Sequence, residues 1–245
     1  MSVDLVLIVL AFILILIFSL LNPGERFALR PIRAFSELRR TIELSVEDGS
    51  RLQVVLGGRG LFGPHSAAAL AGLTLLRQIA HIAADSDQPP IAISGDGVLA
   101  LLSQDTLRRT YADLGLSNDF TNRLGRVTGL TPFSYGAGAM PLILEKTVSA
   151  SALIGSFGAE AGLITSAAQR QGGFTLGGSD SLAGQALLFA SSEQPLIGEE
   201  LYAAGAYLDA GTAHRASLQA QDVLRWLIIF GIGLLALGRL LGLVG

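Results

Sequence analysis

The chain has 245 residues, is 50% hydrophobic and 15% charged, and carries a formal net charge of −3. It has no cysteine, which excludes disulfides, thiolate metal sites and cysteine nucleophiles. Lys146 is its single lysine, so no other position offers a Schiff-base or phosphate-binding lysine, and the mildly acidic balance argues against a nucleic-acid partner.

The first element is the run from Val3 to Leu21, in which only Asp4 and Ser19 are polar. It nearly reaches the roughly 20 apolar residues that cross about 30 Å of hydrocarbon. No Lys or Arg precedes it and no small-residue cleavage pattern follows it, so it reads as a retained anchor and not a signal peptide. Arg26, Arg30, Arg33, Arg39 and Arg40 lie behind it, and the positive-inside rule places them in the cytoplasm. Asp4 then sits at the outer membrane edge. Pro23-Gly24 ends this helix. Ala34 to Arg40 reads as a short amphipathic helix, lying on the membrane surface or packed on the domain that follows.

Residues 42–46 alternate apolar and polar, Glu47 to Ser50 is turn chemistry, and Leu52, Val54 and Leu56 alternate again, which predicts a β-hairpin. A glycine-rich stretch, 57–64, leads into a long apolar helix from His65 to about Ala84. A strand at Ile91–Ser94 is closed by Gly95-Asp96-Gly97 and followed by a helix from about Val98 to Leu114. Residues 115–127 are polar and irregular, and Thr131 to Gly138 is a loop or short helix. Then come a strand near 149–154, a helix near 159–170, a strand at 173–176, and helices at 181–191 and 195–207. This alternation predicts an α/β fold with a largely parallel, helix-covered sheet. The helix Ala67 to Ala84 is apolar almost all round, which predicts burial on two sides, by neighbouring subunits or by the sheet plus a second layer.

From Thr212 a polar helix runs without a breaker into Trp226 and an apolar stretch reaching Val244. This reads as a second transmembrane helix with Trp226 at the interface, Arg225 on the cytoplasmic flank and Arg239 late in the span, where it either pairs with Asp4 or snorkels to the headgroups. Gly238-x-x-x-Gly242 permits close helix contact. The predicted layout is therefore a transmembrane helix at 1–22, a juxtamembrane Arg-rich segment at 23–40, an α/β domain at 41–211, a juxtamembrane helix at 212–225 and a transmembrane helix at 226–245. The expected location is the inner membrane, two-pass, with the main domain cytoplasmic and membrane lipids as surroundings.

Two sets of residues are candidates for binding. Gly58-x-Gly60-x-x-Gly63 has the form of a dinucleotide-binding turn, where glycines let backbone approach pyrophosphate, but it also reads as a tight strand-to-helix turn. Asp85 and Asp87 fall in a loop, so the ribose-binding acid of such a site has no placed counterpart. Asp96, Glu160 and Asp180 each follow a predicted strand, and in a parallel sheet such ends share one edge, where they could converge on a cation or on ligand hydroxyls. Asp96 and Asp180 are also natural helix N-caps. His65, His81 and His214 lack metal-ligand spacing, and no G-x-S-x-G elbow is present. No catalytic residue, metal site or cofactor is expected.

Arg30-Pro31-Ile32 with Ala34-Phe35, SGDGVLALLSQDTLR from Ser94, TGLTPFSYGAGAMP from Thr128, Gly155 to Glu160, PLIGEELYAAGAYL from Pro195 and AQDVLRW from Ala220 together resemble a bacterial membrane-protein family classed as a domain of unknown function. The resemblance spans Arg30 to Trp226. It implies a membrane protein with a cytoplasmic-type domain and assigns no catalytic or binding residue. The expected function is a membrane-anchored, non-enzymatic assembly or scaffold component, oligomerising or binding sister membrane proteins. The alternative is a tethered small-ligand-binding or enzymatic domain using the strand-end cleft.

Overall fold

Strands β1 (Arg51–Gly57), β2 (Ile91–Ser94), β4 (Val148–Ser156) and β5 (Phe174–Ser179) are runs of mostly apolar or small residues, broken in β1 by Arg51 and Gln53, and are buried along nearly their whole length. Strands covered on both faces read this way. With β3 (Gly125–Val127) and β6 (Gln194–Leu196) they form one six-stranded, all-parallel sheet of order β3-β2-β1-β4-β5-β6. The computed structural model describes residues 3–21, 31–117, 120–208 and 212–241. They fall into two compact units, one of Ile32–Asp209 and one of Met1–Pro31 with Ala210–Gly245.

In the first unit, α2 (Arg33–Glu47), α3 (Ser66–Ile82), α4 (Gly97–Asp113) and α8 (Glu200–Tyr207) pack together on one sheet face. The other face carries α5 (Pro132–Ile143), α6 (Ala161–Gln171) and α7 (Leu182–Ser191). Under these last three lies a core of Val55, Ile93, Tyr135, Leu153, Phe157 and Ile164. This arrangement is the doubly wound α/β order, whose switch point falls between β1 and β4.

The hairpin expected over residues 42–56 does not form. Its first arm belongs to α2, which buries Ala34, Phe35, Leu38, Ile42 and Ser45. That is a helical spacing across the whole segment, and it overrides the short period-two pattern at its end. The Ser45 hydroxyl meets that of Ser149 at 2.7 Å and so fastens the helix to the start of β4. Of the two readings for Ala34 to Arg40, the packed helix holds: Phe35 stacks on Tyr207 with ring centroids 5.0 Å apart. The chain's entry into this unit and its exit are thus neighbours.

Two other segments differ from expectation, and 131–138, expected as a loop or short helix, takes the helical form. Residues 125–127 add β3, and Pro195 lies in the edge strand β6, where the missing N–H costs least, so α8 starts only at Glu200. The stretch 131–138 opens a full helix. Thr131 caps it by accepting from Ser134 N at 3.3 Å, Ser134 Oγ accepts in return from Thr131 N at 3.0 Å, and Pro132 fits the first turn. The all-round apolar α3 is covered inside the unit, by the sheet on one side and by α4 and α8 on others. Gly72 seats it against β4, since a Cβ there would lie 2.6 Å from the Ile154 carbonyl oxygen. The second-layer alternative accounts for its composition without a neighbouring subunit.

In the second unit, α1 (Val3–Leu21) packs against α9 (Thr212–Leu240), which runs unbroken through Arg225 and Trp226 as expected. Among the described residues one helix is long and apolar enough to cross a membrane, Arg215–Leu240, and none of its most apolar window is buried. Ile8–Leu20 is a shorter apolar helix. Arg239 is exposed in the last turn of α9, while Arg26, Arg30, Gly242 and the side chains of Asp4 and His214 lie outside the described residues.

Candidate functional site

All six strands are parallel, so their C-terminal ends share one edge. There the backbone extends the sheet past the strands: Gly95 N donates to the Gly57 carbonyl at 3.0 Å and Gly58 N to the Ser156 carbonyl at 3.2 Å. Over this shelf runs the glycine-rich loop from Gly57 to His65. Gly57 has φ +82° and lies so close to β4 that a Cβ would be 2.6 Å from the Ser156 carbonyl oxygen, a place only glycine takes without strain. Beneath the loop Tyr135 is fully buried, accepts a hydrogen bond from Gly57 N at 3.1 Å, and packs its ring under Gly58 and Gly95. Burial, and secondarily the negative charge of Glu160, raises the Tyr135 pKa well above that of a free tyrosine, so the phenol stays protonated.

The loop meets each of the three predicted acids, at three separate residues. Asp96 stands against Gly60, whose added Cβ would lie 2.6 Å from Oδ2, while its Oδ1 accepts from Leu99 N at 2.8 Å and caps α4. Glu160, 6% exposed, accepts from Gly158 N at 2.7 Å and lies beside Gly58. Asp180 is reached through His65: His65 Nδ1 lies 2.7 Å from Asp180 Oδ2, and His65 Nε2 lies 3.1 Å from Arg59 Nη1. A guanidinium has no acceptor, so Nε2 must accept and Nδ1–H must donate to the carboxylate. Both ring nitrogens are therefore engaged, and neither is available as a base for a hydroxyl nucleophile. The Asp180 charge also reaches Tyr202 on α8, whose pKa is raised first by partial burial and then by that charge.

Asp96 is the N-cap that its sequence suggests, but Asp180 is not. Ser181 caps α7 instead, accepting from Gly184 N at 3.0 Å. Gly63 has nothing within reach of an added Cβ. Two buried polar atoms at this edge have no hydrogen-bond partner, Ser156 Oγ and Asp180 Oδ1. Gly155 pairs with Ser179, and Ser156 and Asp180 are the residues that follow this pair, Asp180 just past the end of β5. Ser156 also faces Gly57 across the sheet, where the β1–β4 register shifts.

The three acids stand against three separate residues of the loop. Among the described residues no group of three or more His, Asp or Glu could hold a metal ion, so the cation alternative finds no site. A cavity of about 300 Å³ lined by Gln169, Thr175, Ser191 and Ser192 opens at the opposite edge and includes none of the predicted site residues. Sequence reasoning missed Tyr135, Ser156 and the Arg59–His65–Asp180 chain. His65, next to the loop's proline, was open to notice, but its partner lies 115 residues away.

No curated protein and no solved structure matches the chain. A family model does match, over residues 1–243, and the chain belongs to that family, described as a domain of unknown function, DUF6754.

Proposed function

We propose that this protein is a membrane-anchored binding protein whose α/β domain holds a small ligand at the C-terminal edge of the sheet, in the crevice between the ends of β1 and β4. One observation carries this reading: a glycine-rich loop at the switch point touches three carboxylates, beside buried Ser156 and Asp180 atoms without partners. The engaged imidazole of His65 favours binding over nucleophilic catalysis. The test is a thermal-shift screen of nucleotides, sugars, amines and metal ions on the full chain in detergent. A ligand at a hundred times its Kd adds about 2.7 kcal/mol, a rise on the order of 5–10 °C for a domain of this size. A flat response across all four classes would sink the reading.

A second reading, an assembly surface for sister membrane proteins or further copies, is favoured by Phe62, Leu130, Phe133 and Leu182, which stand exposed on loops and helix starts that follow strand ends. A monodisperse monomer in detergent would count against it. In both readings we place the domain in the cytoplasm between two crossings by α1 and α9, supported by the arginines behind α1. Cysteines introduced at Ser50 and Ser117 should resist an impermeant thiol reagent in intact cells, and labelling there would reverse the orientation.

A further inference from the structure

The crevice also says what kind of ligand suits it, an inference that rests on the binding reading above. In a dinucleotide fold the turn glycines open space for pyrophosphate. Here that space faces carboxylates: Asp96 stands against Gly60 and Glu160 against Gly58. Each is an anion held by a backbone N–H, Leu99 N for Asp96 and Gly158 N for Glu160. A phosphate entering over these glycines would meet like charge at both. Arg59, the cation on the loop, is engaged by His65.

The unpartnered atoms define the group that would fit. Asp180 Oδ1 only accepts, whereas the Ser156 hydroxyl both donates and accepts. Ser156 ends β4 and Asp180 follows β5, each one residue beyond the paired Gly155 and Ser179. One ligand hydroxyl between them donates to Asp180 and accepts from Ser156. An ammonium would leave the Ser156 proton unused, and an anion would be repelled by Asp180.

We infer that the crevice binds a neutral polyhydroxylated ligand, a sugar or the sugar part of a larger molecule, with one hydroxyl seated between Asp180 and Ser156. Both atoms are enclosed in this structure, so the hydroxyl enters when the loop lifts. The Arg59–His65 contact at the surface is the latch that must open.

The experiment uses the full chain in detergent, with ribose, 2-deoxyribose, glucose and myo-inositol as neutral probes, pyrophosphate as the anion and putrescine as the amine. At least one polyol should stabilise the wild type. Ser156→Ala and Asp180→Asn should each weaken that binding about tenfold or more, the scale of one lost hydrogen bond to a charged group. Arg59→Gln, on an exposed side chain, should bind as tightly or more tightly. The ribose and 2-deoxyribose arm reads hydroxyl dependence on the wild type alone, and so holds even if a variant fails to fold. Response to pyrophosphate or putrescine without the polyols would overturn the ligand class and leave the crevice reading standing. Polyol binding unchanged in both variants would remove Asp180 and Ser156 from the site. Silence from every probe would overturn both proposals and assign the gap between the two atoms to water.

Discussion

The turns after β2 and after β5 look alike in sequence, Ser94-Gly95-Asp96-Gly97 and Ser179-Asp180-Ser181, yet they use their acids differently. After β2 the aspartate satisfies the first turn of α4 through its Oδ1. After β5 the serine one position later takes the capping role, and it also donates to the Phe157 carbonyl. Asp180 is thereby released to face His65, with one oxygen unpartnered. An acid at a strand end is therefore no evidence of a site until the helix behind it has been capped by something else.

The largest effect is expected beneath the glycine-rich loop, which meets Asp96 at Gly60 and Asp180 at His65. Tyr135→Phe removes the acceptor of Gly57 N beneath the loop. Leaving a buried N–H unpartnered costs about 1–3 kcal/mol. The same variant has a pH signature. The folded pKa of Tyr135 is raised, so its contribution is complete below the unfolded value of about 10 and is lost as pH rises toward the folded value. Above about pH 10 the unfolded tyrosine ionises first, and stability should fall by about 1.4 kcal/mol per pH unit. Denaturant titrations of wild type and Tyr135→Phe between pH 8 and 11 should show a steeper alkaline decline in the wild type. Parallel curves would mean that this phenol is not protected.

Much of this architecture was legible in the sequence. The apolar runs at 91–94 and 149–154 and the long pattern from His65 announced a buried parallel sheet with covering helices, because continuous burial leaves a continuous apolar record. Residues 42–46 misled because five residues fit two periods, and only the stripe from Ala34 through Ser45 distinguishes them. Strands β3 and β6 are three residues each, too short to carry a period. At the site, the glycines and the three acids could be named, since turn chemistry and strand ends are local. Their grouping could not: Gly60 meets Asp96, Gly58 meets Glu160 and His65 meets Asp180 only through the strand order, which places β1 between β2 and β4.

The next effect separates the two turns directly. Asp96→Ala and Ser181→Ala each delete an N-cap acceptor and should each cost about 0.5–2 kcal/mol in chemical denaturation. Similar losses are expected, although one residue is an acid and the other a hydroxyl, because the lost bond is the same. If Asp96→Ala proved silent, its capping bond would carry nothing and Asp96 would join Asp180 as a carboxylate held for another purpose.

The smallest effect on stability is expected at Asp180, and it is the sharpest test of the comparison. The carboxylate gains one bond from His65, but it keeps one buried oxygen without a donor. Burying an under-satisfied charge is costly, and replacing it with a neutral group of similar shape is often neutral or stabilising. Asn at this position still accepts from His65 Nδ1–H, and its amide NH₂ can reach toward Ser156. Asp180→Asn should therefore shift stability by less than about 1 kcal/mol in either direction, while weakening the response to a polyol about tenfold or more. Residues that are held at a cost and removed without penalty are those retained for function. A loss from Asp180→Asn as large as that from Ser181→Ala would make the His65–Asp180 pair a structural tie between α3 and β5, and the turn after β5 would then be no freer than the turn after β2.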